Sequence, residues 1–102
     1  MSALCSPWEG IVDDKRGFSL GEVVQTRGSR DVFTREEVLG CLLRHANGDW
    51  GDLEEEDKRA NELALKDDER LVSAYKFDDG RKMYIITEWD RSYTTVLLPE
   101  EY

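Results

Sequence analysis

The residues best suited to chemistry lie around the single histidine of the chain, His45. An imidazole titrates near neutral pH, and a nearby carboxylate can orient it as a general base. Asp49 follows four residues later, and Asp90 lies in a predicted turn further along the chain. If the fold brought these three side chains together, they could serve a small hydrolase or nuclease-like enzyme. His45 also falls in the last turn of a predicted helix, beside its buried stripe, so a structural role is favoured over catalysis.

A second candidate is the acidic segment over residues 52–69, which holds nine acidic and three basic residues. The usual interpretation is a solvated helix face. Carboxylates spaced along a helix can also imitate a phosphate backbone and occupy the basic channel of a nucleic-acid-binding partner. Lys58, Arg59 and Lys66 interrupt the segment, whereas dedicated mimics carry little basic charge. The predicted partner-binding residues are Glu54, Glu55, Glu56, Asp67, Asp68 and Glu69.

A third group is predicted to hold loops in place. Asp49 and Trp50 belong to a glycine-punctuated loop over residues 45–52. Asp57 and Asn61, four residues apart on one helical face, are expected to clamp the backbone of this loop. The Asp-Arg-Ser sequence at 90–92 resembles an anion or metal corner, but a turn bonded to itself is favoured. A Ser-His-Asp triad with Ser92 is a weak signal. The predicted clamp residues are Asp49, Trp50, Asp57, Asn61, Asp90, Arg91 and Ser92.

Composition limits the possible functions. A chain of 102 residues supports one domain with one modest core. The formal charge of −9 disfavours direct nucleic-acid binding, which requires a basic face. The absence of a long apolar run argues against a membrane span. Cys5 and Cys41 are too isolated for a zinc site or a disulfide framework. We therefore expect a cytoplasmic protein with reduced thiols and with neither metal nor cofactor.

The hydrophobic periodicity predicts an α+β fold in the order β-α-α-β-β-β, an antiparallel meander packed on two helices. Residues 1–17 are predicted to be a flexible arm, and residues 18–102 a single α+β domain. Thr34 and Glu37 form a capping box for the first helix, and Asp52 is the expected cap of the second. Asp78-Asp79-Gly80 marks a hairpin. The predicted bounds are a strand at 22–26, helices at 34–45 and 53–66, and strands at 70–77, 82–89 and 93–98.

Four stretches resemble a family of small bacterial proteins carried by plasmids, integrative elements and prophages. They are LLRHANGDWGDL (42–53), EDKRANELAL (56–65), RLVSAY (70–75) and IITEWDRSYTTVLLPEEY (85–102). Members are called hypothetical or plasmid-related, and some bear a type I restriction-modification label. Residues 1–17 lie outside the resemblance, and Trp89 departs from a pattern that prefers a small residue there. The resemblance implies an accessory protein of mobile DNA concerned with host defence, and it transfers no catalytic residue.

These observations favour a non-enzymatic protein that binds another protein through its acidic surface. The expected partner is a host defence or restriction complex, which makes an anti-defence inhibitor the most concrete form of the hypothesis. The small enzyme built on His45, Asp49 and Asp90 is one alternative. A homodimeric scaffold assembled through the meander is another.

Overall fold

The computed structural model describes residues 18–102, and the predicted arm over residues 1–17 lies outside the described residues. Over these described residues the fold is α+β, as the periodicity predicts, with a four-stranded mixed sheet and three α-helices. The elements are β1 (Glu22–Gln25), α1 (Arg27–Val32), α2 (Arg35–Ala46), α3 (Glu55–Asp67), β2 (Leu71–Lys76), β3 (Lys82–Thr87), β4 (Tyr93–Leu97) and a final 3₁₀ turn (Pro99–Glu101).

The sheet has the strand order β1-β4-β3-β2. Its last three strands form the predicted antiparallel meander, in which β2 pairs with β3 and β3 with β4. The first strand pairs in parallel with β4, with Val23 opposite Thr94, so the sheet is mixed. The chain therefore passes through all three helices between two strands that lie side by side.

The main core lies between one face of the sheet and α2. Apolar residues at every second position of the strands reach this face, and Val38, Leu42 and Ala46 cover it from the helix. The capping box of α2 is present as predicted: Thr34 Oγ1 accepts from the Glu37 amide, and Glu37 Oε1 accepts from the Thr34 amide. The opposite, outer face carries a separate buried set, Ala74, Ile86 and Leu97.

The third helix lies along the outer edge of β2. The prediction that Asp52 caps this helix is wrong, because the cap position is Glu54 and the Asp52 carboxylate accepts from the Lys76 amide at 2.8 Å. The helix consequently begins two residues later than predicted. It ends at Asp68, which has a left-handed backbone with φ of 54°.

The helix α1 was not predicted from the sequence. Gly28 suggested the end of a strand, but Thr26 caps a helix there by accepting from the Ser29 amide at 3.1 Å. A Cβ on Gly28 would lie 2.6 Å from a carboxylate oxygen of Glu101, so the glycine permits the 3₁₀ turn to pack closely against α1. Thr26 is a residue type that caps helices, but Gly28, which is unfavourable inside a helix, indicated the end of a strand instead.

Candidate functional site

The imidazole of His45 is fully buried in a chain of hydroxyl groups. Its Nδ1 lies 2.5 Å from Ser73 Oγ, and its Nε2 lies 2.9 Å from Thr87 Oγ1. Thr87 Oγ1 in turn lies 2.8 Å from Thr94 Oγ1, which donates to the Leu20 carbonyl at 2.7 Å. The chain of hydrogen bonds therefore crosses from β2 to the segment before β1 through the centre of the sheet.

The hydrogen bonds of this network all donate in one direction, which the Leu20 carbonyl sets. A carbonyl only accepts, so the Thr94 hydroxyl donates to it and must accept from the Thr87 hydroxyl. Thr87 then accepts from Nε2–H of His45, and Nδ1 accepts from Ser73. Burial, with a smaller contribution from the positive charge of Arg91, lowers the imidazole pKa to about 3. The histidine is thus held neutral in one tautomer.

The three residues of the enzyme hypothesis do not form one hydrogen-bonded group. Both ring nitrogens of His45 are bonded to hydroxyls, so neither is bonded to a carboxylate. Asp49 instead accepts from Arg44 at 2.8 and 3.3 Å, and this hydrogen bonding lowers the pKa of the aspartate. Asp90 accepts from the Ser92 amide at 3.0 Å, and hydrogen bonds from Ser92 lower its pKa. Each carboxylate therefore serves its own loop.

The glycine-punctuated loop is held from several sides. Asp49 accepts from the Gly51 amide, and its carbonyl accepts from the hydroxyl of Tyr75 at 2.7 Å. Trp50 is buried in the core and donates from its indole nitrogen to Glu62 at 2.9 Å. Gly51 has φ of +79°, and a Cβ there would lie 2.0 Å from the Ala74 carbonyl oxygen. Through these contacts Asp49 and Trp50 hold the loop against the sheet and α3.

Asn61 clamps the edge of the sheet, so the prediction that it binds the glycine-punctuated loop is wrong. Its amide nitrogen donates to the Val72 carbonyl at 2.7 Å, and its oxygen accepts from the Val72 amide at 3.1 Å. The loop covers Ala74, two residues further along the same edge, since Ala74 bonds to the backbone of Trp50 and Asp52. Asp57, the other half of the predicted clamp, is exposed.

Arg91 joins the β3–β4 turn to the C-terminal end of α3. Its guanidinium donates to the carbonyls of Ala64, Glu69 and Glu88 at 3.1, 2.7 and 3.0 Å. A cation at this position adds a donor for carbonyls at and just after the end of the helix, and it offsets the negative end of the helix dipole. The turn from Asp90 to Ser92 is therefore bonded to itself. The guanidinium of Arg91 donates to backbone carbonyls.

The six predicted partner-binding residues are all exposed. Glu54 is the cap residue of α3, Glu55 and Glu56 stand in its first turn, and the other three end or follow the helix. One ion pair within the helix involves them: Lys58 Nζ lies 3.7 Å from Glu55. Since a helix of 13 residues is about 20 Å long, the residues form two acidic clusters that far apart.

A groove of about 410 Å³ lies between α3 and the outer face of the sheet. Tyr84 and Tyr102 line one side of it, with ring centroids 5.3 Å apart. Asp57 and Asn61 line the helical side. Local sequence patterns did not predict this groove, because its lining combines side chains of α3, β2 and β3 with Tyr102.

Two polar groupings were also not predicted from the sequence. Arg81 pairs with Glu37 at 2.6 Å and with Asp79 at 2.8 Å, which ties the β2–β3 hairpin to the start of α2 and lowers the pKa of Glu37 to about 2. The second grouping is the set of hydroxyls around His45. The signal for it in the sequence was Ser73 and Thr87, two polar residues at inward positions of strands.

Comparisons with models of protein families, with curated proteins and with solved structures find no match for this chain. Within residues 18–102, no helix has the length and apolar character that crossing a membrane requires. The same residues contain no group of three or more His, Cys, Asp or Glu side chains placed to hold a metal ion. The resemblance to mobile-element proteins therefore stays a prediction.

Proposed function

We propose that this protein is a non-enzymatic binding protein that contacts a basic surface of another protein through the two acidic clusters of α3. They are the N-terminal cluster, Glu54, Glu55 and Glu56, and the C-terminal cluster, Asp67, Asp68 and Glu69. In the bacterial mobile-element setting that the resemblance implies, the partner would be a cytoplasmic defence or restriction complex. Occupying its nucleic-acid channel would inhibit it.

The observation that carries the proposal is the position of the C-terminal cluster. All three carboxylates are exposed at the end of α3, where the helix dipole is negative. Acidic residues there repel the dipole, at a cost of about 0.3–1 kcal/mol each. Arg91 bonds to the backbone of this end, and its contacts do not include these carboxylates. Three residues that oppose the stability of their own helix are expected where a partner uses their charge.

The state of His45 supports a function without general-base chemistry. Its two ring nitrogens are both bonded inside the core, and its pKa of about 3 leaves it neutral and enclosed at neutral pH. A general base must reach the proton that it removes. This imidazole lies between α2 and the sheet, so these elements would have to separate before it could reach a substrate.

Charge reversal with a matched control tests the proposal. The wild-type protein, immobilised, is used to capture partners from a bacterial lysate, and each captured protein is then purified and its Kd measured. Reversing the C-terminal cluster to lysine should weaken binding by at least about tenfold, because complementary charges fix specificity and association rate. The control reverses three exposed acids elsewhere, with the same change in net charge: Asp31, Asp78 and Glu100.

Two results would contradict the proposal. One is a partner that binds the C-terminal variant as tightly as the wild type. The other is equal weakening by the control, which would mean that the net charge, rather than α3, attracts the partner. Competition between this protein and duplex DNA for the same captured partner would further support the inhibitory form.

A further inference from the structure

The groove between α3 and the outer sheet face combines two aromatic rings with unpaired carboxylates. Its lining includes Val72, Tyr84, Tyr102, Asp57, Glu69 and Arg70. The planes of the two tyrosine rings meet at 56°, so they form an open corner rather than a stack. The ring of Tyr102 is accessible, since that residue is 60% exposed. An open aromatic corner is the geometry that binds organic cations through the faces of the rings.

The charges of the groove favour a cationic ligand. The lining includes two carboxylates, of Asp57 and Glu69, and one guanidinium, of Arg70. Within residues 18–102, the structure shows no ion pair or hydrogen bond for the carboxylates of Asp57 and Glu69. The groove also lies between the two acidic clusters, whose members other than Glu69 add to its negative potential.

Tyr84 already attracts a cation within the protein. The Nζ of Lys82 lies 5.3 Å from its ring centroid. Lys82 is not among the residues that line the groove, so its ammonium does not fill it. The chain uses the same type of contact elsewhere, where the guanidinium of Arg44 lies 4.6 Å from the ring centroid of Tyr75. A guanidinium suits such a site better than an ammonium, because it is planar, stacks on rings and binds carboxylates with two hydrogen bonds.

We infer that the groove receives an arginine side chain of the partner protein, seated against the exposed faces of the Tyr84 and Tyr102 rings and paired with Asp57. This inference rests on the proposed function, since it names the chemistry by which the basic partner would be recognised. It places the recognition contact between the two acidic clusters, which then serve to attract and orient the partner.

The test is an NMR titration of the whole protein with acetyl-Gly-Arg-Gly-amide, followed on the tyrosine ring signals. The matched peptide carries citrulline, which has the shape of arginine without its charge. We expect saturable shifts of Tyr84 and Tyr102 with a Kd in the millimolar range, and binding of the citrulline peptide that is weaker by about two- to fivefold or more.

Variants at exposed positions locate the contact. Tyr102→Ala should weaken the arginine peptide by about two- to fivefold, and Tyr102→Phe, which keeps the ring, should restore the affinity. Asp57→Asn should weaken it by a similar factor. Amide spectra of each variant verify that the fold is unchanged.

Three outcomes would overturn the inference. Equal binding of the citrulline peptide would remove the role of charge, and equal binding of a lysine peptide would remove the assignment to a guanidinium. Shifts confined to the ends of α3 would place the cation outside the groove. If the peptide fails while reversal of the C-terminal cluster still abolishes partner capture, the proposed function stands without this inference.

Discussion

At the scale of single residues, the neutral state of His45 couples folding to pH. The imidazole is buried, accepts at Nδ1 and donates at Nε2, so a second proton has no place in the native structure. In the unfolded chain the same group titrates near pH 6.5. Acid therefore protonates the unfolded state first, and the chain has no other histidine to obscure the effect.

We predict that stability is highest above pH 6.5 and falls as the pH is lowered towards 3. The folded pKa is depressed, so the unfolded state binds the extra proton throughout that window. The free energy of unfolding should decrease by up to about 1.4 kcal/mol per pH unit. Urea unfolding at pH 7, 6 and 5 measures this slope before most carboxylates titrate. A flat profile from pH 6.5 to 5 would contradict the prediction, and His45→Gln, although less stable, should show one.

The residue scale is also where the sequence was least informative. The alternation of apolar residues in β2 is consistent with the burial of Leu71 and Tyr75. It cannot show that Ser73, between them, faces His45, because that contact joins residues far apart in the chain. Threonine is ordinary in any strand, so Thr87 and Thr94 do not by themselves indicate a buried hydroxyl network. The exposure of the acidic clusters was predictable from composition, whereas the groove depends on how α3 meets the sheet.

At the scale of elements, the helix α3 carries acidic residues at both ends, and the dipole gives them opposite effects. The N-terminal cluster stabilises the helix, and the C-terminal cluster destabilises it. Local patterning predicted the helix itself, but its start was misplaced because Asp52 bonds to a distant strand. The alternation that predicts strands and the spacing that predicts helices are local, whereas this bond is not.

We predict that Asp67→Asn with Asp68→Asn raises the free energy of unfolding by about 0.6–2 kcal/mol. Asparagine tolerates the left-handed backbone of residue 68, so the cap is preserved. The matched control, Glu55→Gln with Glu56→Gln, removes the same charge and should lower it by a similar amount. Urea unfolding in low salt compares the pair, and changes of the same sign in both would exclude the dipole as the cause.

Two glycines offer a second matched pair. Gly51→Ala should unfold the protein or lower its stability severely, because the added Cβ meets the Ala74 carbonyl at 2.0 Å and the φ is +79°. Gly40→Ala lies in the middle of α2 with nothing within 4 Å of the new methyl group, so it should stabilise by about 0.5–1 kcal/mol. Thermal unfolding of both variants checks the prediction, and a well-folded Gly51→Ala protein would contradict it.

At the scale of the whole molecule, the outer edge of β2 is closed by the rest of the chain. Asn61 occupies both backbone groups of Val72, and the glycine-punctuated loop occupies those of Ala74. An open edge strand is a template for pairing with other chains. The backbone groups of Val72 and Ala74 are therefore not free to pair with a strand of another protein.

We predict that Asn61→Leu destabilises the protein by about 1–3 kcal/mol and increases self-association. The change leaves a backbone donor and a backbone acceptor of Val72 without their partner. Light scattering across concentrations, alongside urea unfolding, measures both effects. Leu63→Asn, on the exposed side of the same helix, is the control and should change neither. Unaltered stability in Asn61→Leu would show that water replaces the amide without cost.

The parallel pairing of β1 with β4 has a consequence for synthesis on the ribosome. Val23 leaves the exit tunnel well before Thr94, its neighbour in the sheet, has been translated. Contacts between distant parts of a chain form late and slowly. A nascent chain halted before Tyr93 would hold α2 without its complete sheet, leaving apolar side chains open to chaperones. The N-terminal strand thus completes the fold only after translation has passed the β4 codons.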